Sequence, residues 1–320
     1  SIAPALSSVK ACRGESCAMK LVMTGASGFI GSVLCSRLLQ KGHTLTLLTR
    51  SAPRDPSTGT KRWLHWRPGM SGDWESALAG ADGVINLAGE PIAKKRWTVK
   101  QKHQLRLSRI DTTVGLVRAI AKAKQKPKCL LNASAVGYYG PCGNEAVGEE
   151  APAGTDFLAA LCRDWENEAM KAEKLGVRVI RLRTGIVLGP GGGALAKMAP
   201  PFKFFVGGPL GSGKQWMSWI HLEDEVGLIV HLIEDPQASG AVNATAPNPA
   251  TMKEFCHALG QVMGRPSWAP VPRFALRLML GEMAEMLLTG QRAVPTAAEK
   301  FGYRFRYPNL PEALQACMPL

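Results

Sequence analysis

Three glycines near the start of the chain have the spacing of a phosphate-binding turn. Gly25, Gly28 and Gly31 stand in the stretch "TGASGFIG", which follows an apolar run and precedes a segment with helical periodicity. In such a turn the first glycine permits the bend, the second lets the backbone approach a pyrophosphate, and the third allows close packing of the helix. The helix N-terminus then faces the anion. The pattern predicts a dinucleotide site; the alternative is a purely structural turn.

A basic residue indicates which dinucleotide this site would take. Arg50 ends the apolar segment "HTLTLLTR", the next strand candidate after the glycine turn. An acidic residue at this point would bind the ribose hydroxyls of NAD, whereas an arginine suits the 2′-phosphate of NADP. We therefore expect NADP(H) as the cofactor. The alternative is an arginine that ends the strand in solvent.

A second glycine-rich stretch, "GPLGSGKQ", has the G-x-x-x-x-G-K spacing of a phosphate loop. Gln215 stands where such a loop needs a magnesium-binding Ser or Thr, and no clear strand precedes the stretch. The sequence therefore argues against nucleotide hydrolysis. It predicts a surface loop near the substrate cleft, with Lys214 available to an anion.

The glycine turn depends on the elements around it, and apolar strand candidates alternate here with helical segments. The strand candidates are "KLVMTG", "HTLTLLTR", "DGVINLAG", "KCLLNASAVG" and "VRVIRLRTGIVLG". The helical segments are "FIGSVLCSRLLQKG", ended by Gly42, "IDTTVGLVRAIAKAK", and "FLAALCRDWENEAMKAEKLG", ended by Gly176. The alternation predicts an α/β fold of the Rossmann type, a doubly wound parallel sheet covered on both faces.

The pattern changes after residue 245, where "TMKEFCHALGQVMG", "PVPRFALRLML" and "EMAEMLLTGQRAVPTAAEKFG" predict three helices. We therefore divide the chain into a tail over residues 1–18, an NADP-binding Rossmann domain over residues 19–245, and a small, mostly helical C-terminal domain over residues 246–320. Within the Rossmann domain, a loop over residues 190–220 is expected to line the cleft.

Composition argues against several classes of protein. The formal net charge of +14 favours anionic partners, but the basic residues are dispersed and no nucleic-acid-binding motif is found. The 8 cysteines form no C-x-x-C pair, and the histidines lack ligand spacing, so neither a disulfide framework nor a metal site is expected. No apolar run approaches the ~18 residues of a membrane helix, so no transmembrane segment is expected.

The first 18 residues differ in composition from the rest of the chain. They are rich in Ser and Ala and carry Lys10 and Arg13 against a single acid, Glu15. This composition is typical of the remnant of an organellar targeting peptide, and the alternative is a flexible tail. The folded unit is expected to begin at "MKLVMTG".

Several stretches together resemble a known family. "TGASGFIG", "VINLAGEPI", "SAVGYYG", "LRTGIVLGPGGGAL", "GGPLGSGKQWMSWIHLEDEV" and "NATAPNP" are similar to the extended short-chain dehydrogenase/reductase superfamily. They look most like its atypical, sugar-nucleotide-epimerase-like branch, which carries a small C-terminal domain of unknown function. The resemblance covers essentially Met19 to Leu320 and is closest to plant and algal plastid members. It implies that the C-terminal region forms a substrate lid.

The resemblance also implies a set of cofactor contacts. The stretch "NLAG" matches the segment that lines the cofactor beyond the third strand, and the region after Arg183 matches the loop beside the nicotinamide. The implied cofactor-binding residues are Gly25, Ser27, Gly28, Phe29, Ile30, Gly31, Arg50, Asn86, Leu87, Ala88, Gly89 and Arg183.

The sequence differs from the superfamily at the residues that carry the reaction. The superfamily uses a Tyr phenol whose pKa is lowered by a Lys four residues later, with help from a Ser or Thr hydroxyl. None of the 4 tyrosines of this chain is followed by such a lysine. Where the pair should fall, the sequence offers Phe157, Leu158 and Cys162, and the hydroxyl position falls on Ala135. Conventional hydride transfer by a Tyr, Lys and Ser set is therefore in doubt.

Two hydroxyl residues remain candidates for the reacting site. Ser134 and Tyr139 lie at the carboxyl end of the fourth strand candidate, where doubly wound sheets bind their ligands. Cys162, Asp164 and His221 are further acid/base options. Each has a structural alternative: a loop or stacking role for Tyr139, a small core side chain for Cys162, and a satisfied strand-end histidine for His221.

These observations leave two functional hypotheses. The first is an NADP(H)-binding epimerase or oxidoreductase-like protein that acts on an unidentified small molecule with unusual acid/base residues. The second is a catalytically quiet NADP-binding scaffold, regulator or subunit in a large organellar assembly with a protein partner. The resemblance and the N-terminal tail place the protein in the plastid stroma, with the mitochondrial matrix as the alternative.

Overall fold

The computed structural model describes residues 18–51 and 56–318. The strands, in chain order, are β1 (Lys20–Thr24), β2 (Thr44–Thr49), β3 (Lys61–His65), β4 (Gly83–Asn86), β5 (Cys129–Ala135), β6 (Ala146–Val147), β7 (Arg178–Thr184), β8 (Ile186–Leu188), β9 (Trp216–Met217), β10 (Trp219–His221), β11 (Gly240–Ala244), β12 (Ala250–Thr251) and β13 (Arg292–Ala293).

The α-helices, in the same order, are α1 (Phe29–Gln40), α2 (Val99–Lys122), α3 (Phe157–Met170), α4 (Leu195–Lys203), α5 (Leu222–Glu234), α6 (Met252–Met263), α7 (Arg273–Leu280), α8 (Glu285–Leu288), α9 (Thr296–Lys300) and α10 (Leu310–Cys317). Short 3-10 helices cover Asp73–Leu78, Val136–Tyr139, Glu173–Leu175 and Gly281–Ala284.

The main sheet has seven parallel strands in the order β3-β2-β1-β4-β5-β7-β11. The chain adds β2 and β3 on one side of β1 and the later strands on the other. This doubly wound topology confirms the predicted fold class. Its switch point lies between β1 and β4, and sheets of this topology bind their ligands in the crevice at the carboxyl ends of the strands at this point.

Each face of the sheet is covered by helices. On one face, Leu34 and Leu38 of α1 pack with Ile229 of α5 against the strands. On the other face, Leu116 of α2 and Ala169 of α3 belong to a second buried cluster. Helical spacing of these apolar residues explains why each helix buries one stripe. Both faces of the central strands are therefore covered by helices, which leaves the strand ends for a ligand.

The C-terminal part of the chain packs as a third apolar layer. Phe255 and Leu259 of α6 join Leu314 of α10 and Trp219 of β10 in one buried cluster. Asp224, in the first turn of α5, fixes the segment before α10, because its carboxylate accepts backbone N–H groups there at 2.7 and 2.9 Å. The small sheets pair β8 with β10, β9 with β12 and β6 with β13.

Three predicted elements need correction. The segment "VRVIRLRTGIVLG" forms two strands, β7 and β8, because Gly185 lies so close to the Ser218 carbonyl that a Cβ would stand 2.4 Å from its oxygen. The prediction of a third C-terminal helix is wrong, because the segment forms α8, β13 and α9. Gly290 follows α8 and lies against the backbone of Trp216, where a Cβ would stand 2.0 Å from the carbonyl oxygen. Pro295 immediately precedes α9. Helix α2 begins at Val99, earlier than predicted.

The described ranges contain neither a membrane-spanning helix nor a metal-binding cluster. No helix in residues 18–51 and 56–318 has both the length and the apolar composition needed to cross a membrane. Nor do three or more His, Cys, Asp or Glu side chains in these ranges form a group that could hold a metal ion. The expected targeting remnant over residues 1–18 lies, apart from Ala18, outside the described residues.

Candidate functional site

The glycine turn brings three backbone segments into close contact. Gly25 has a φ of +73°, and a Cβ at this residue would lie 2.7 Å from the carbonyl carbon of Leu87. The N–H of Gly28 donates to the carbonyl of Gly25 at 3.0 Å. A Cβ on Gly31 would lie 2.2 Å from that same carbonyl oxygen, a distance that real Cβ atoms do not reach. The geometry therefore requires glycine at both Gly25 and Gly31.

The N-terminus of α1 opens beside this turn. Gly28 caps the helix without any side-chain hydrogen bond, so the amides of the first turn have no partner within the helix. Ser27 and Gly28 are exposed, and Phe29 and Ile30 are partly buried. Free amides at the positive end of a helix suit a phosphate group.

The stretch over residues 190–220, predicted as a loop, contains α4, β9 and most of β10, and it reaches the turn through Phe29. A Cβ on Gly192 would lie 2.5 Å from the phenyl ring, and one on Gly193 would lie 2.8 Å from it. These two glycines therefore let the loop close over the ring. Lys214, farther along, is exposed. The Gln215 amide donates to the Leu210 carbonyl at 2.9 Å and to the Leu287 carbonyl of α8 at 2.8 Å.

Arg50 lies at the same edge of the sheet as the turn. The register pairs Leu48 of β2 with Thr24 of β1, so Arg50 comes two residues beyond the end of this pairing. Its side chain is exposed. The arginine thus stands next to the glycine turn, on the β2 side.

Buried polar side chains join the ends of the central strands. The Thr24 hydroxyl donates to Asn86 Oδ1 at 2.7 Å, and Asn86 Nδ2 donates to Asn132 Oδ1 at 2.6 Å. The backbone N–H of Ala88 donates to the Thr24 hydroxyl at 3.2 Å. This ladder holds the segment from Asn86 to Gly89 against the glycine turn, so the structure brings these two sets of predicted cofactor residues together.

A second cluster surrounds a buried ion pair. Arg183 of β7 binds Glu166 of α3 in a bidentate manner, with nitrogen–oxygen distances of 2.8 and 2.9 Å. Both side chains are 2% exposed. The Ser134 hydroxyl donates to Glu166 Oε1 at 2.7 Å. Burial alone would lower the pKa of Arg183, but the hydrogen bonds and charge of Glu166 raise it above its usual value. Two of the predicted site residues are thus engaged with one carboxylate.

Tyr139 completes this cluster. Its hydroxyl donates to Asn243 Oδ1 at 2.7 Å and accepts from Arg183 Nη1 at 3.0 Å. The Arg183 guanidinium also lies 3.5 Å from the ring centroid of Tyr138. Burial raises the pKa of Tyr139 to about 12, against the lowering effect of Arg183. The phenol is therefore a weak acid with both of its hydrogen-bonding roles already filled.

The other acid/base options are engaged as well. Burial and the charge of Glu166 raise the pKa of the Cys162 thiol to about 12. Asp164 pairs with Arg106. His221 Nδ1 accepts the N–H of Glu223 as a helix cap at 3.1 Å, and burial lowers the pKa of this histidine. None of the three has the exposed, poised geometry of a general acid or base.

Sequence patterns missed three residues of this region: Glu166, Asn243 and Glu225. Glu166 shares the buried stripe of α3 with Ala159 and Cys162, so a charged residue at a core position was the available signal. Glu225 occupies a similar buried position in the first turn of α5. Asn243 carried no signal, because its partners come from distant parts of the chain.

Glu225 is a buried carboxyl with one partner. Its Oε1 accepts from the Thr184 hydroxyl at 2.8 Å, and its Oε2 is buried without a hydrogen bond. Burial raises the pKa of Glu225 from 4.5 to about 8. The folded protein therefore keeps this proton over a pH range in which the unfolded chain releases it.

We expect Glu225→Gln to remove a pH dependence of stability. Between pH 4.5 and about 8 unfolding releases the Glu225 proton, so this group makes the free energy of unfolding fall by about 1.4 kcal/mol per pH unit as pH rises. The free energy of unfolding, measured by urea titration at pH 5 to 8, should fall less steeply with pH in the variant than in wild type. Glu312→Gln, at an exposed glutamate, should keep the wild-type slope. Equal slopes for Glu225→Gln and wild type would contradict this.

Two family models match the chain. Residues 21–244 match the NAD dependent epimerase/dehydratase family. Residues 271–317 match a domain of unknown function, DUF1731.

Curated relatives and solved structures agree with this match. The chloroplastic SDR39U1 homolog of Arabidopsis thaliana is 44% identical over 306 residues, covering 94% of this chain and 87% of that protein. The Bacillus subtilis epimerase family protein YfhF is 41% identical over 297 residues, covering 92% and 97%. The crystal structure of human epimerase family protein SDR39U1 (isoform 2) with NADPH superposes with a TM-score of 0.84 at 34% identity, covering 93% and 99%. These matches confirm the resemblance seen in the motifs, and the chain belongs to the NAD dependent epimerase/dehydratase family.

Proposed function

We propose that this protein binds NADP(H) at the carboxyl ends of β1, β2 and β4 and acts as an epimerase or oxidoreductase-like protein on a small molecule. The observation that carries the proposal is the glycine turn, in which Gly25 and Gly31 admit no side chain and α1 presents an uncapped N-terminus. The NADPH in the crystal structure of the human relative supports the choice of cofactor. When bound, the nicotinamide would supply the hydride chemistry.

The residues proposed to hold the cofactor fall into groups with distinct roles. The turn and the first residues of α1 would bind the pyrophosphate, Arg50 the 2′-phosphate, and the segment after β4 would line the cofactor. These are Gly25, Ser27, Gly28, Phe29, Ile30 and Gly31, then Arg50, then Asn86, Leu87, Ala88 and Gly89. Arg183 is proposed to act through its contacts with Glu166 and Tyr139, since its guanidinium is engaged there.

The substrate side of the proposal uses the loops that face the strand ends. The Rossmann domain over residues 19–245, with its loop 190–220, and the C-terminal domain over residues 246–320 would enclose the small molecule between them. Ser134 and Tyr139 remain the proposed reacting-site hydroxyls. Their hydrogen bonds to Glu166 and Asn243 favour a role in holding the site over direct proton transfer.

A second candidate function is a catalytically quiet NADP-binding scaffold, regulator or subunit of an organellar assembly. The engaged Ser134 and Tyr139 and the absent Tyr-Lys pair favour it. The chloroplastic relative supports the plastid stroma as its location, with the mitochondrial matrix as the alternative, although bacterial relatives are also found.

Arg50→Ala is expected to weaken NADPH binding about tenfold to a hundredfold and to leave NADH binding unchanged. A hydrogen-bonded contact to a charged phosphate is worth ~1.5–3 kcal/mol, and NADH lacks that phosphate. Titration of cofactor-stripped protein, followed by nicotinamide fluorescence, measures both affinities. Arg62→Ala, at an exposed arginine of β3, is the matched control and should bind both cofactors like wild type. If wild type binds neither cofactor, the glycine turn is structural only and the search moves to a protein partner.

A further inference from the structure

Arg109 of α2 lies over the crevice at the strand ends. One turn after it, the Thr113 hydroxyl accepts from Asn86 Nδ2 at 3.0 Å, and Asn86 pairs with Asn132 of β5. Helix α2 connects the parallel strands β4 and β5, so it runs back against their direction. A residue one turn toward its N-terminus therefore stands about 5.4 Å farther out, beyond the end of β4 at Asn86.

The guanidinium of Arg109 rests on the segment that continues β4. Its Nη2 donates to the carbonyl of Glu90 at 3.1 Å, and a Cβ on Gly89 would lie 3.1 Å from its Cζ. Its Nη1 donates to the carbonyl of Leu105 at 3.1 Å and approaches the Ser108 hydroxyl at 3.4 Å. The cation thus borders the same backbone that we propose lines the cofactor.

The charge of Arg109 is not neutralised by an ion pair within residues 18–51 and 56–318. Each of its hydrogen-bond acceptors is a neutral oxygen, and its Nε donates to none of the described residues. Glu90 acts on it electrostatically, but the Glu90 carboxylate pairs with Lys94 at 3.1 Å. The side chain is partly buried. A partly desolvated cation without a counter-charge is costly, so an anionic ligand beside it would be stabilised.

The neighbouring helix fixes the guanidinium without competing for an anion. The ring of Trp165 on α3 has its centroid 5.2 Å from Arg109 Cζ. Cys162, one turn earlier on α3, stands where the superfamily carries its lysine. Its thiol is neutral, because burial raises its pKa to about 12. Arg109 is therefore held by a neutral ring, and the thiol that interacts with it electrostatically brings no cation that would compete for an anion.

We propose that Arg109 is an oxyanion-binding residue of the substrate cleft, and that the small molecule carries a carboxylate or phosphate group that this guanidinium takes. The inference rests on the proposed function, since it places the ligand beside the segment proposed to line NADP(H). Nη1 of Arg109 already donates to Leu105 and Ser108, but Nη2 makes one bond and Nε none among the described residues, so the edge formed by these two nitrogens matches two oxygens of either anion. The substrate class of the proposed function is then a small carboxylate or a small phosphate ester.

The test titrates the NADPH-saturated protein with potassium acetate and, separately, with inorganic phosphate at constant ionic strength. Nicotinamide fluorescence and calorimetry follow binding. Wild type is expected to bind at least one probe saturably, and which one it binds distinguishes carboxylate from phosphate. Arg109→Met should weaken that binding at least tenfold, and Arg109→Lys should retain part of it. Arg106→Met, which removes an exposed arginine of the same helix paired with Asp164, should bind like wild type.

Two results would overturn the assignment: wild type that binds NADPH but neither probe, or Arg109→Met that binds the probe as wild type does. If Arg109→Met does not fold, the affinity of Arg109→Lys for the probe is the deciding measurement. Loss of the planar guanidinium alone should still weaken binding of the probe. Failure of the proposed function is separable. If wild type does not bind NADPH, the same probes are titrated into the cofactor-free protein, and dependence on Arg109 decides this inference alone.

Discussion

Gly31→Ala is expected to weaken NADPH binding about a hundredfold. The added methyl group would lie 2.2 Å from the carbonyl oxygen of Gly25, so the turn or the first residues of α1 must move. Overpacking of this kind costs ~1–3 kcal/mol, and the displaced backbone is the part proposed to contact the pyrophosphate. Fluorescence titration with NADPH measures the affinity, and urea unfolding separates lost binding from lost stability.

The matched control is Gly59→Ala, because a Cβ on Gly59 meets no atom within 4 Å and its φ is not in the left-handed region. This variant should bind NADPH as wild type does. Wild-type affinity in Gly31→Ala would contradict the proposed pyrophosphate site, since the clash cannot be relieved without moving the turn. Equal losses in both variants would show a general effect of substitution instead.

Local sequence features predicted the glycine turn well. Gly25 and Gly31 are required by contacts within one βα unit and one neighbouring strand end, so spacing alone carries the signal. The central strands were predictable for a related reason, since parallel strands buried on both faces are continuous apolar runs. The two strands of the main sheet that were missed, β3 and β11, are its edges. Strand β3 is covered less, so "KRWLH" keeps charged residues. Strand β11 is largely buried, but "GAVNA" consists mostly of small residues and so lacks a strand pattern.

The second cluster could not be predicted because its partners are far apart in sequence. Arg183 meets Glu166 from a different element, and Tyr139 meets Asn243 across 104 positions. Ser134 and Tyr139 were predicted from their place at the carboxyl end of the strand that forms β5. The structure adds that the same two hydroxyls bind a buried carboxylate and a buried amide. Motif spacing specifies position along the chain, and side-chain partners depend on the fold as a whole.

Arg183→Leu is expected to lower the free energy of unfolding by about 3–5 kcal/mol. Removing one partner of a buried ion pair leaves the other charge desolvated, because Glu166 would lose two hydrogen bonds. It would keep only the Ser134 hydroxyl and the longer ion pair to Arg181 at 3.5 Å. Tyr139 would lose a donor at the same time. Urea unfolding at pH 7 measures the change. The exposed pair of Arg277 and Glu285 supplies the control, because Arg277→Leu removes the same charge in solvent and should leave stability unchanged within error.

The double variant Arg183→Leu with Glu166→Leu separates the cost of an orphaned charge from the value of the pair. Replacing both partners removes the desolvated carboxylate, so the double variant should be more stable than Arg183→Leu alone. A double variant as unstable as the single one would show that Arg183 acts mainly through Tyr139 and the Glu149 carbonyl. NADPH affinity in the folded double variant then tests the positioning role. An affinity equal to wild type would confine Arg183 to stability, whereas a loss would show that the ion pair also shapes the cofactor cleft.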